Sequence, residues 1–225
     1  MTRIWLVAAA LLVLNGCAAQ PSPSAPVSSP SAPLTATPTP AKSPPSALVL
    51  SSGAIAVIDA SGNVLDRVAF DRPVSEVLEL IEGTLGQAPA VTQAAEDECT
   101  DARDVTYYSW QDYSLTVTHE SQPASLASWR KAGAYRIAFG AASVGEIELL
   151  GNDSLSVGDD GTALVASLPE DYIDQIAESA VWAVTEAGGS YSNTQRSGEW
   201  GLGAIVDNGI VTHWVSPGYV FDTYC

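Results

Sequence analysis

The groups able to do chemistry are few and widely spaced. The 225-residue chain carries two histidines, His119 and His213, three cysteines, and 26 acidic side chains against 9 basic ones. His119 is followed by Glu120 and Ser121, but consecutive residues of an extended segment point to opposite sides, so this string builds no relay. Nucleophilic catalysis would need serine, imidazole and carboxylate gathered from distant segments. The sequence contains no G-x-S-x-G elbow, no H-E-x-x-H and no glycine-rich phosphate loop. Paired carboxylates can cleave glycosidic bonds, but that chemistry is set by their separation in space. No catalytic residue, metal ligand set or cofactor is therefore assigned. A cell-envelope hydrolase, in which His119 or His213 shares a pocket with a carboxylate and a hydroxyl, stays open as an alternative. The acidic runs from Glu96 to Asp104 and from Asp153 to Asp160 read as solvated loops, with a calcium-stabilised surface protein as the second alternative.

Composition narrows the partners. A net charge of −17 and a pI near 4.1 argue against nucleic acid, whose phosphates need basic patches. With 46% hydrophobic and 16% charged residues, the chain has the makings of a packed core.

The N-terminus carries the most specific signal. Arg3 precedes an apolar run from Ile4 to Leu14, followed by Asn15, Gly16 and Cys17. Such a run rises only about 17 Å as a helix, against a hydrocarbon core of roughly 30 Å, so it reads as a secretory signal over residues 1–16. The string Leu14-Asn15-Gly16-Cys17 resembles the lipobox of bacterial lipoproteins. The resemblance implies that Cys17 carries a diacylglyceryl group and becomes the first residue of the mature protein. Acyl chains such as palmitate would then hold it on the extracytoplasmic face of the cell membrane. With Cys17 so occupied, Cys99 and Cys225 remain, and two thiols in an oxidising compartment are expected to pair as a disulfide. Closing so long a loop is worth at most about 5 kcal/mol in the chain-entropy model.

Residues 17–47 are almost wholly Pro, Ser, Thr and Ala. Nine of the fourteen prolines lie between Pro21 and Pro45, and Lys42 is the only charge. This composition predicts a disordered, semi-extended tether. Residues 48–225 form the globular domain, with candidate halves 48–150 and 151–225.

Within that domain, apolar runs at 48–50, 54–58 and 64–70 flank an Asp-Ala-Ser-Gly-Asn turn and predict strands joined by a hairpin. Val74, Val77, Leu78, Ile81 and Leu85 recur at helical spacing, with Asp71 as the expected cap and Gly86 as the stop. Residues 92–104 read as a polar loop. Strands are predicted over 105–110, 113–118, 134–139 and 144–150. Short helices follow over 163–168 and 170–179. A strand at 181–185 precedes a closing hairpin around Asp207-Asn208-Gly209. Shifting the chain by the 87 positions between Val77 and Leu164 also lays Leu78 on Val165, Tyr113 on Trp200 and Leu115 on Leu202, which suggests an internal duplication. The expected fold is α+β: antiparallel sheet with a few short helices on one face, in two similar halves.

Val74-Ser75-x-Val77 running into Leu85-Gly86-x-x-Pro89, followed by aromatic strands, resembles the small modules of outer-membrane-assembly lipoproteins and of the tandem β-lactamase inhibitor proteins. That resemblance implies a non-catalytic protein-binding module and transfers no site residues. The expected binding surface is aromatic, drawn from Trp110, Tyr113, Trp129, Trp200 and Trp214, because Tyr and Trp dominate binding hot spots. The partners expected are the membrane, through lipid at Cys17, and an envelope protein or glycan. Alkylation of the mature protein under denaturing, non-reducing conditions should modify neither Cys99 nor Cys225; mass spectrometry finding either one alkylated would refute the pairing.

Overall fold

The computed structural model describes residues 43–97, 102–122, 135–151, 155–192 and 197–219. The chain divides into two units, Met1–Pro40 and Ala41–Cys225, and every described residue belongs to the second. No helix among the described residues is long and apolar enough to cross a membrane.

The unit's described residues are mostly antiparallel sheet with two α-helices. Three strands, β1 (Pro45–Leu50), β2 (Ala54–Asp59) and β3 (Val64–Ala69), lead into α1 (Val74–Leu85). Four more follow: β4 (Ala90–Asp97), β5 (Ala102–Trp110), β6 (Leu115–Gln122) and β7 (Tyr135–Phe139). The short β8 (Ser143–Val144) and β9 (Ile147–Leu150) precede α2 (Thr162–Ser167). The chain closes with β10 (Ile173–Gln175), β11 (Ala180–Ser192), β12 (Ser197–Asp207) and β13 (Ile210–Tyr219). These strands form two sheets, a five-stranded one in the order β3-β2-β1-β9-β8 and an eight-stranded one in the order β10-β11-β12-β13-β7-β6-β5-β4. The β1–β9 pair is parallel.

Several elements differ from the sequence expectation. The folded unit begins earlier than residue 48, because β1 takes Pro45, Ser46 and Ala47 from the expected tether. The polar stretch from 92 is not a loop: β4 runs through Asp97 and pairs with β5 in continuous register from Ala90–Ser109 to Ala94–Val105. The helix expected over 170–179 is a single 3-10 turn at Glu170–Tyr172 followed by β10. Pro73, not Asp71, stands at the cap position of α1, where its fixed φ suits helix entry. Gly86 ends the helix as expected, at φ 66°, with its N–H donating to the Glu82 carbonyl at 2.8 Å.

One core joins both sheets and both helices. Leu48, Leu50, Ile55 and Val57 of the five-stranded sheet cluster with Val77, Leu80 and Ile81 of α1 and Leu164 of α2. The eight-stranded sheet adds Trp110, Leu115, Ile137, Phe139, Leu202 and Trp214. The helices are therefore packed into a core that two sheets share, rather than laid on one face of a single sheet. Across the layers, Ser216 Oγ donates to the Ser51 carbonyl at 2.8 Å, and Ser52 donates to Glu186 through its hydroxyl at 2.8 Å and its N–H at 3.2 Å.

Two glycine–tryptophan contacts fix the packing on opposite faces of the large sheet. A Cβ at Gly151 would lie 2.1 Å from the Trp214 ring, and one at Gly203 would lie 2.4 Å from the Trp182 ring. Trp182 belongs to a second, smaller cluster with Val184 and Val215. Both indole N–H groups are buried without an acceptor among the described residues, so close packing rather than hydrogen bonding holds these rings. Gly151→Ala should accordingly destabilise by about 1–3 kcal/mol through overpacking, whereas Gly53→Ala, where a Cβ meets nothing within 4 Å, should leave the urea midpoint nearly unchanged. Equal midpoints for the two variants would show that the Gly151 contact does not govern the packing.

Candidate binding groove

Among the described residues, the structure does not gather the sequence-selected groups into one place. His119 stands on β6 opposite Tyr135, and His213 stands on β13 opposite Ile205, with β7 between the two strands. His213 Nδ1 lies 3.3 Å from the Thr212 hydroxyl. Burial pushes both imidazoles below their ordinary pKa, with the Glu120 charge opposing the shift at His119. Among the described residues no group of three or more His, Cys, Asp or Glu side chains is placed to hold a metal ion.

Several carboxylates serve their own turns. Asp59 Oδ1 accepts from the backbone N–H groups of Ser61 and Asn63, both at 2.9 Å, and both its oxygens accept from Asn63 Nδ2. Those bonds hold its carboxyl below the usual range. Asp159 accepts from Ser156 N and Asp160 from Thr162 N, each at 2.8 Å, and the Thr162 bonds likewise lower the Asp160 pKa.

The expected aromatic surface divides. Trp110 and Trp214 are core residues, 2% and 0% exposed, which corrects their assignment as contact residues. Trp110 Nε1 donates to the Gln87 carbonyl at 3.0 Å, tying the end of α1 to β5. Tyr113 is 63% exposed, in a turn where Gln111, Asp112 and Tyr113 all have positive φ. Trp129, Cys17, Cys99 and Cys225 lie outside the described residues, as does the side chain of Trp200.

A concave feature among the described residues lies along α1, where no candidate residue was expected. It is an open groove of about 810 Å³ between α1 and the strands β2 and β3. Val57, Leu65, Val68 and Leu80 give it an apolar floor, and Asp66, Glu76 and Glu79 stand on its rim. Ser43–Pro45 form one wall. Arg72 engages Glu76 through two bonds at 2.7 and 2.9 Å. A second hollow, about 530 Å³, lies against Ser75, Leu78 and Glu82. Glu79 and Gly83 line both hollows, one turn apart on the same face of the helix.

The groove follows from the amphipathic pattern of α1. Val77, Leu80 and Ile81 are buried, which fixes the helix against the core and turns Ser75, Glu79 and Gly83 outward. Gly83 is unusual for a helix interior, where glycine is about 1 kcal/mol less favourable than alanine. No close neighbour demands it, because a Cβ there would meet nothing within 4 Å. The sequence signal was this glycine inside an otherwise well-patterned helix. Searches against protein-family models, curated proteins and solved structures match nothing to this chain.

The shifted groups set two acid windows. Because burial holds His119 and His213 below the ordinary histidine value of 6.5, the unfolded chain takes up protons first. Stability is full above that pH and declines as pH falls below it. Asp59 and Asp160, held below the ordinary 3.8, contribute stability that is lost only under more acidic conditions. Urea midpoints should therefore fall in two stages on acidification. The double variant His119→Gln/His213→Gln should abolish the first stage and keep the second; an unchanged first stage would show that other groups control it.

Proposed function

We propose that this is a lipid-anchored, extracytoplasmic protein of the bacterial cell envelope. In this reading Cys17 carries the lipid, the Pro-rich segment is a spacer, and the folded unit is a non-catalytic interaction module for an envelope protein. The observation that carries the interaction reading is the groove along α1. It combines an apolar floor with a polar rim at about 810 Å³, within the size range of ligand-binding clefts. The lipobox resemblance at Leu14–Cys17 supports the anchor.

The α+β reading with two similar halves belongs with this proposal. Each helix precedes a four-stranded run, α1 before β4–β7 and α2 before β10–β13. The last strands of the two runs, β7 and β13, lie side by side. The strand order of the large sheet thus reads alike from either edge, as expected of duplicated halves related by a two-fold.

A photoreactive residue at Glu79 of the full lipoprotein, activated in native membranes, should cross-link to a discrete protein. The same group at exposed Glu178 should not. A Cys17→Ala variant should leave the membrane fraction and lose the adduct. Indistinguishable adducts from positions 79 and 178, or membrane retention of Cys17→Ala, would defeat the corresponding half of the proposal.

A further inference from the structure

We infer that the groove along α1 receives an extended, lysine- or arginine-bearing peptide segment that crosses the helix at Gly83. This rests on the reading of the groove as a docking site and names the chemistry of its occupant. Three observations carry it.

The first is Gly83. Glycine is needed where φ is positive or another atom comes too close, and neither holds here: a Cβ at 83 would enter open space. Any larger side chain would instead project from the ridge between the two hollows that Glu79 and Gly83 both line. The glycine keeps that ridge low, so that a chain lying in one hollow can pass over the helix backbone into the other.

The second is charge. Asp66, Glu76 and Glu79 line the larger hollow and Glu82 the smaller, and among the described residues no basic one lines either. Of the described cations beside this rim, Arg72 is already bound to Glu76 at both of its oxygens, and Arg67, which follows Asp66 on β3, lines neither hollow. An anionic occupant would meet like charge, and a wholly apolar one would strip water from the carboxylates without replacing its hydrogen bonds. A cationic side chain avoids both costs. The net charge of −17 also steers cations toward the unit.

The third is the apolar floor. Val57, Leu65, Val68 and Leu80 suit the methylene stems of Lys and Arg, which bury their carbon chains while the charged head reaches the rim. The groove is open along its length, which fits a through-running segment better than an enclosed small molecule.

The test uses the full lipidated chain in phosphatidylcholine nanodiscs and a labelled nine-residue peptide alternating Lys and Leu, read by fluorescence anisotropy. Counterparts with Glu or Gln at every Lys serve as comparisons. The Lys peptide should bind, weaken with added salt, and lose at least about tenfold in affinity with Asp66→Asn/Glu79→Gln, in line with loss of close charge pairs. Gly83→Gln should abolish binding while melting no lower than the parent, because glutamine is the better helix former. Binding of the Gln or Glu peptide as tight as that of the Lys peptide, still sensitive to Gly83→Gln, would overturn the cationic assignment and leave the groove as the docking site. If no peptide shows binding that responds to Gly83→Gln, both the assignment and the docking reading fall.

Discussion

The indole of Trp214 lies on the backbone at Gly151, close enough that even a methyl group there would collide with the ring. Gly151 directly follows β9, the strand that pairs in parallel with β1, and Trp214 stands in β13 at the middle of the eight-stranded sheet. This one contact therefore couples the five-stranded sheet to the large one. The serine bonds from the β1–β2 loop to Glu186 and from Ser216 to Ser51 lie between the same layers. Closely packed interiors transmit such constraints because few voids are left to absorb a shift. With the sheets fixed, α1 has one way to bury Val77, Leu80 and Ile81, and its opposite flank is left standing over β3 as a groove wall.

The acidic surplus behaves differently from place to place. At Asp59, Asp159 and Asp160 the carboxylates accept backbone N–H groups of their own turns, so each helps to close its own loop. On the groove rim, Asp66 accepts only the adjacent Arg67 N–H among the described bonds, and Glu79 stands exposed. A sequence shows both kinds of carboxylate as the same letter. Only the path of the backbone around each separates a turn-closing group from one that faces a cleft.

Legibility followed the range of the forces involved. Helix α1, its Gly86 stop and the Asn208-Gly209 hairpin, with both turn residues at positive φ, were readable because their causes lie within a few residues. Strand β4 was not, since Thr92, Gln93, Glu96 and Asp97 look like loop text. Its strand state comes from pairing with β5, not from its own composition. The 3-10 turn at Glu170–Tyr172 carried residues that also suit a helix, and β10 beyond it is held by pairing with β11. The parallel β1–β9 pair joins segments about a hundred residues apart, which no local pattern announces. The aromatic residues misled for a related reason: Trp110 and Trp214 are as apt for a core as for a binding surface, and burial is decided by the layer packing. Tyr113 kept its exposure because it sits in a turn.

The groove was the least legible feature, and its physical logic explains why. Helix α1 has 12 residues, about the length at which an isolated helix is marginal in water. Its stability must come from the face formed by Val77, Leu80 and Ile81, and that face was what the periodicity revealed. Once packing on one side secures the helix, the other side can hold residues that an isolated helix would reject, including a glycine one turn after Glu79. In sequence such a glycine looks like a weakness of the helix assignment. In the folded unit it is a low point on an exposed ridge, tolerated because the core face carries the helix, and it leaves the backbone of α1 open to approach from outside.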